Sequence, residues 1–131
     1  MSQASVEVVR AGFERFPSPT FLDVLAPNIE WEVRRDLPDA GTYRGRDEVQ
    51  QLLARFDEVL DEIWFRPEEF IERGEHEVIV PLRWGGKGKG SGIEIEERGE
   101  TWLFRVTDGR IVRVTEFATR DEAYEASSSL D

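Results

Sequence analysis

The sequence predicts an α+β domain in which helices pack on one face of an antiparallel sheet, and three observations lead there. Apolar residues recur at helical spacing through the first half of the chain. After Ile63 the period changes to two. Glycine-containing turns then divide the remainder into hairpin-linked strands.

Element by element, Val6, Val9, Phe13 and Phe16 follow Ser5 at helical spacing and Pro17 ends the run, which predicts a short amphipathic helix over 6–16. Thr20 is placed to cap a second short helix over 20–26 that buries Phe21, Leu22 and Leu25 and closes at Pro27, before a strand over Ile29–Val33. Proline, glycine and aspartate between Leu37 and Arg46 mark a loop. From Asp47, the residues Val49, Leu52, Leu53, Phe56, Leu60 and Ile63 trace one stripe, so a long helix over 47–63 should cover the sheet. Strands are expected near 65–72, 77–84, 93–106 and 110–118, with turns at Arg73-Gly74, Gly85–Gly92 and Asp108-Gly109. Thr119 and Glu122 have capping-box spacing and predict a terminal helix over 120–126, followed by a polar tail over 127–131.

A chain of 131 residues is the size of one domain and long enough to bury a core, so residues 1–131 are expected to form a single domain without repeats. A formal charge of −11 repels phosphate backbones and anionic lipid, which argues against nucleic-acid and membrane-surface partners. With no cysteine there are no disulfides, thiolate nucleophiles or Cys-based metal sites, and a reducing compartment is suited. No apolar run approaches the roughly 18 residues of a membrane span, and MSQASVEVV lacks the basic and apolar regions of a signal peptide. A cytoplasmic protein is expected.

Several motifs that resemble chemical sites dissolve on inspection. His76, the one histidine, follows the turn Arg73-Gly74-Glu75, and its acidic neighbours Glu75 and Glu77 would point away from it on a strand, so no metal site is expected. The stretch GGKGKGSG (Gly85–Gly92) lacks the glycine that a phosphate loop needs five residues before Gly-Lys, where Pro81 or Arg83 stands. No Gly-x-Ser-x-Gly elbow is present. No motif calls for a cofactor. The acidic runs Asp57-Glu58, Asp61-Glu62 and Glu94–Glu97 read as solvated faces.

The stretches TYRGRDEVQQLL (Thr42–Leu53), FRPEEFIERGE (Phe65–Glu75), KGKGSGIEIE (Lys87–Glu96) and DGRIVRVTEFATRDEA (Asp108–Ala123) resemble SnoaL-like proteins in order and spacing. That broad group includes nuclear transport factor 2, ketosteroid isomerase, scytalone dehydratase and limonene epoxide hydrolase. The resemblance covers nearly the whole chain. It implies a strongly curved sheet wrapped around three helices as a cone, a ligand cavity at the open end, and commonly a homodimer formed through the sheet. Its members differ widely in activity, so fold alone does not assign one here.

Carried over residue by residue, the resemblance places the isomerase's general-base position near Val33, which holds no proton. It places the epoxide hydrolase's last-strand acid at Glu116, with the following aromatic at Phe117. The hydrolase's neighbouring Arg and Asp have no clear match in Val78–Trp84, which offers Arg83 and no acid, and a strand histidine common in the family is replaced by Trp102.

Strand alternation puts Glu116 on one face with Val112, Val114 and Ala118, opposite Ile111, Arg113, Thr115 and Phe117. A carboxyl beside valines on a concave face would have a raised pKa suited to acid–base work; the plainer alternative is a structural ion pair with Arg83 or Arg105. Trp31 shares the parity of Val33 and is the leading wall of a pocket, with Val33, Trp102, Phe104 and Val114 as further walls and Tyr43 near its mouth. For any one of these aromatics core packing is the plainer role. Ile111, Phe117 and Leu103 on the opposite face suggest a homodimer through the outer side of the sheet. Two functional classes stay open: an enzyme of the isomerase, cyclase, dehydratase or epoxide-hydrolase type acting on a small apolar or aromatic molecule with Glu116 as proton carrier, or a non-catalytic ligand-binding, accessory or protein-interaction module.

Overall fold

The computed structural model describes residues 2–16, 18–37 and 40–127. Three helices accompany a mixed sheet of eight strands, which curves around two of them. The chain runs α1 (Ser2–Arg15), a 3-10 turn (Pro19–Val24), β1 (Leu25–Val33), β2 (Gly41–Arg44), α2 (Gly45–Val59), β3 (Leu60–Pro67), β4 (Ile71–Arg73), β5 (Glu77–Gly88), β6 (Glu94–Glu97), β7 (Thr101–Thr107), β8 (Arg110–Phe117) and α3 (Arg120–Ala126). The strand order is β2-β1-β8-β7-β5-β3, with β4 and β6 also paired to β5. Every neighbouring pair is antiparallel except β1 with β8, which is parallel and joins the β1–β2 pair to the rest of the open sheet. No helix among the described residues is long and apolar enough to cross a membrane.

The first helix starts four residues earlier than the periodicity predicts. Ser5 lies inside it as a buried side chain whose hydroxyl donates to the Glu75 carbonyl at 2.7 Å, tying α1 to the β4–β5 turn. The second predicted helix is one 3-10 turn, capped by Ser18, whose Oγ accepts the Thr20 N–H at 3.3 Å. Leu25 already belongs to β1, and Pro27 is tolerated there because the β1–β8 register slips between Leu25 and Glu30, so its missing donor breaks no ladder bond. Part of the predicted loop is the edge strand β2, paired with β1.

The long helix ends at Val59 rather than Ile63. Leu60 is extended and pairs with Gly88, and Glu62 takes a positive φ of 52° where the β3–β5 register shifts. Cross-strand pairing therefore overrides a stripe that happened to continue at helical spacing. Of the glycine stretch expected as a turn, Gly85–Gly88 are the last four residues of β5 and the turn itself is confined to residues 89–92. A Cβ on Gly85 would stand 2.2 Å from the Ile95 carbonyl oxygen, so only glycine lets β6 and Trp64 close on this strand. Asp108 and Gly109 both have positive φ, as a two-residue β7–β8 hairpin turn requires. The capping box on α3 forms as its spacing predicts, with Thr119 accepting the Glu122 N–H and Glu122 accepting the Thr119 N–H. Beyond Ser127 the expected polar tail lies outside the described residues.

The two faces of the sheet differ. On the inner face α1 and α2 bury Val9, Ile29, Val49, Leu52, Val78, Val80, Leu82, Phe104 and Val114 with Trp31 and Trp102. On the outer face α3 covers Ile79 and Leu103 with Ala123, so the helices do not all share one side as expected. Ile111 also departs from expectation. It is fully buried in the inner core, because the β7–β8 register slips between Arg105 and Val106 and leaves Val112 as an extra residue that reverses the alternation before Arg113.

Candidate functional site

At one rim of the inner face, the ends of β1 and β8, the start of β7 and the middle of β5 come together. Here the apolar core gives way to two buried glutamates. Glu116, 7% exposed, follows Val114 on the inner side of β8, and its Oε2 accepts the Trp31 indole N–H at 2.7 Å. Its Oε1 has only a long contact of 3.5 Å from the backbone N–H of Arg34. Glu100, 3% exposed, stands just before β7, where it accepts Arg34 Nη1 at 2.7 Å, the Trp84 indole N–H at 3.1 Å and the Trp102 indole N–H at 2.5 Å.

Arg34, at the end of β1, is the only cation in this cluster among the described residues. Besides Glu100 it holds Asp36 in a two-pronged pair through Nε and Nη2, and it donates to Glu97. The hydrogen bonds to Asp36 first, then those to Glu97 and Glu100, raise its pKa still further above the usual arginine value and outweigh burial. Asp36 is correspondingly held below the ordinary carboxylate range by Arg34.

Glu116 is the group whose chemistry changes most. Burial away from water is the first cause and the charge of Glu100 the second; they push its carboxyl up to about 8, against the weaker opposing pulls of the Trp31 N–H, the Arg34 N–H and the Arg34 charge. At neutral pH this is a protonated acid among aromatic rings. A protonated carboxyl in such surroundings donates a hydrogen bond or a proton, and its conjugate base takes one back.

The residues anticipated as pocket walls occupy the interior. Trp31, Val33, Trp102, Phe104 and Val114 are buried there, and Tyr43 packs against them half-buried on β2, its hydroxyl accepting Arg55 Nη1 at 2.8 Å. The rings lie against one another: Phe16 stacks on Trp31 at 6.0 Å, Trp31 meets Trp102 edge-on at 5.3 Å, and Phe65 lies 5.8 Å from Trp102. A groove of about 980 Å³ runs along the outer face instead, bordered by Arg34, Glu116, Arg113, Thr115, Phe117 and the α3 side. None of the six wall residues borders it.

Arg83 and Arg105, the anticipated ion-pair partners of Glu116, are engaged elsewhere, Arg83 with Glu96 at 3.3 Å and Arg105 with Glu77 at 3.6 Å. Glu97, counted among solvated acids, is half-buried and bonded to Arg34. His76 lies at an exposed turn with Nδ1 3.1 Å from the Val106 carbonyl oxygen, and the described residues hold no group of three or more metal-ligand side chains. Arg34 and Glu100 were missed by the sequence. Glu100 has the parity of Trp102 and Phe104, a signal that would have placed it on the inner face; Arg34 lies past the strand end, where alternation gives none.

The comparisons with known proteins agree with this architecture. The structure resembles a nuclear-transport-factor-2-like protein from Burkholderia pseudomallei with 23% identity, 95% of this chain and 98% of that one covered, and a TM-score of 0.76. For a similar protein from Burkholderia thailandensis the values are 26%, 92%, 96% and 0.75. For a putative SnoaL-like polyketide cyclase from Jannaschia sp. they are 17%, 99%, 94% and 0.75. No curated protein matches the chain. The family model described as the SnoaL-like domain matches residues 6–114, most of the helices and strands set out above, and the chain therefore belongs to the SnoaL-like domain family.

Proposed function

We propose that this chain binds a small, mostly apolar or aromatic molecule at the rim of the cone and acts on it by acid–base chemistry, with Glu116 as proton carrier. The observation that carries this reading is the carboxyl of Glu116, buried, raised to about 8 and bonded by one indole N–H rather than locked in a two-pronged arginine pair. A proton carrier with a pKa near the working pH is what isomerisation, cyclisation, dehydration or epoxide hydration needs. The test is turnover by the wild-type chain and Glu116→Gln on epoxides and polyketide-like ketones. The variant is expected to lose about a hundredfold or more in kcat/KM. Undiminished turnover would reject the role.

A second reading, a ligand-binding or accessory module without catalysis, is favoured by Val33 and Trp102 at positions where relatives carry proton-transfer groups, and by the mutual packing of Phe16, Trp31, Phe65 and Trp102. No turnover by either protein on a broad panel would support it.

Assembly as a homodimer through the outer sheet face belongs to the same proposal. Ile111 no longer supports it, and Leu103 is largely under α3. What remains is a surface of alternating sign, in which Glu30 faces Arg113 across β1–β8 and Arg105 faces Glu77 across β7–β5. Light scattering at tens of micromolar is expected to give twice the 15.1 kDa chain mass; the single-chain mass would reject the dimer.

A further inference from the structure

We propose that Glu100 is the working partner of Glu116, and that these two glutamates, clamped by Arg34 and three indole N–H groups, act as one unit holding a single proton, which Glu116 carries because Glu100 keeps the negative charge. The assignment rests on the acid–base reading above for its chemistry, but its geometry stands independently.

The register brings the pair together. Trp102 lies directly opposite Glu116 across β7–β8, and the same Trp102 gives its indole N–H to Glu100, two residues before it. Donors are divided unequally. Glu100 receives three side-chain N–H groups, including the cluster's cation, whereas Glu116 receives one indole at Oε2 and leaves Oε1 with a contact at the limit of hydrogen bonding. That oxygen has room for a hydrogen. The positive charge is already divided, since Arg34 faces Asp36, Glu97 and Glu100. A second buried anion at Glu116 would meet the Glu100 charge at low dielectric with no cation of its own. On the inner side the elements around Glu116 bring rings, α1 setting Phe16 onto Trp31 and β3 setting Phe65 onto Trp102, and further charges, Arg35, Glu77, Arg105, Arg113, Glu122 and Glu125, border the groove on its outer side. Two carboxyls whose surroundings drive them apart in protonation are the usual basis for assigning an acid and a base.

The proton count closes without a co-reactant. Glu116 Oε1–H breaks as an O–H bond forms on a neutral ligand oxygen, and the bonding pair stays on the carboxylate. The Glu116 carboxylate then takes a proton from a ligand C–H, whose electrons enter a new double bond, or from a water that attacks carbon, and this resets the pair. Glu100, closed in by its three N–H donors, keeps its charge throughout and drives the proton back onto Glu116. Because Arg34 is committed to three carboxylates, the ligand group that meets Glu116 Oε1–H is an uncharged oxygen, as in a ketone, alcohol or epoxide.

The test is a titration of the full-length protein labelled with ¹³C at the glutamate carboxyl carbons, followed by NMR. In the wild type the Glu116 carbon should titrate near 8. In Glu100→Gln the Glu116 midpoint should fall by about one pH unit or more, since the neighbouring charge is gone. A Glu116 midpoint unchanged in Glu100→Gln would overturn the pair while leaving Glu116 as a lone proton carrier. A midpoint that falls as expected, with turnover indifferent to Glu116→Gln, would keep the pair and reject catalysis. If Glu100→Gln does not fold, the wild-type curves decide: a Glu116 carbon titrating with the exposed glutamates overturns the proposal.

Discussion

Inside the cone Trp31 and Trp102 touch rings and aliphatic groups, while at the rim the N–H edges of the same two residues, with that of Trp84, end on carboxylates. The interior is non-directional and tolerates changes that conserve volume. The rim is directional, and each donor there has a named acceptor. An indole serves both because its body is apolar and one edge is polar, so these tryptophans join stability to the site rather than belonging to either. The contrast explains why two glutamates can be buried beside the largest rings in the protein: the rings that exclude water also supply part of the hydrogen bonding that water would have given.

The comparison breaks most visibly at Trp102. Trp102→Ala removes both the body and the edge, and urea unfolding is expected to show a loss of about 3–5 kcal/mol. Trp102→Phe keeps most of the body and deletes only the N–H to Glu100, for an expected loss of about 1–3 kcal/mol. Equal losses in the two variants would mean that the edge, not the body, dominates. Glu100→Ala leaves Arg34, Trp84 and Trp102 without their shared acceptor and should cost about 3 kcal/mol, as removal of one partner of a buried ion pair does. The exposed pair of Lys89 with Asp61, at 2.7 Å, provides the control. Lys89→Ala should cost under about 1 kcal/mol and less still in high salt.

Much of the fold was legible because periodicity and turn chemistry agree along the chain. The Asp108-Gly109 hairpin, the Thr119 capping box and the Val49–Leu52–Leu53 stripe each rest on local physics, and the structure holds them where the sequence placed them. Apart from the cap of the second short helix, which Ser18 supplies rather than Thr20, the misplacements are non-local. Leu60 leaves its helix to pair with Gly88, Leu25 leaves a short helix to join β1, and one extra residue near Val112 turns Ile111 inward. Of the site, Glu116 could be read from its valine neighbour and strand parity, whereas Arg34 could not, since its position depends on how the chain leaves β1 and on carboxylates 63 and 66 residues away in sequence.

A buried, proton-carrying Glu116 is tested most directly by the unfolding free energies of the wild type and Glu116→Gln at pH 5 and pH 9. A carboxyl whose pKa is raised on folding binds its proton more tightly in the native state. Its contribution is fully present below the unfolded value of 4.5 and is lost as pH rises towards and past about 8. Glutamine keeps an acceptor for the Trp31 N–H and cannot ionise. The two proteins should therefore be close in stability at pH 5, with Glu116→Gln more stable by a few kcal/mol at pH 9, on the order of 1.4 kcal/mol for each unit of pKa shift. The same difference at both pH values, or a wild type that gains on the variant as pH rises, would contradict a protonated Glu116.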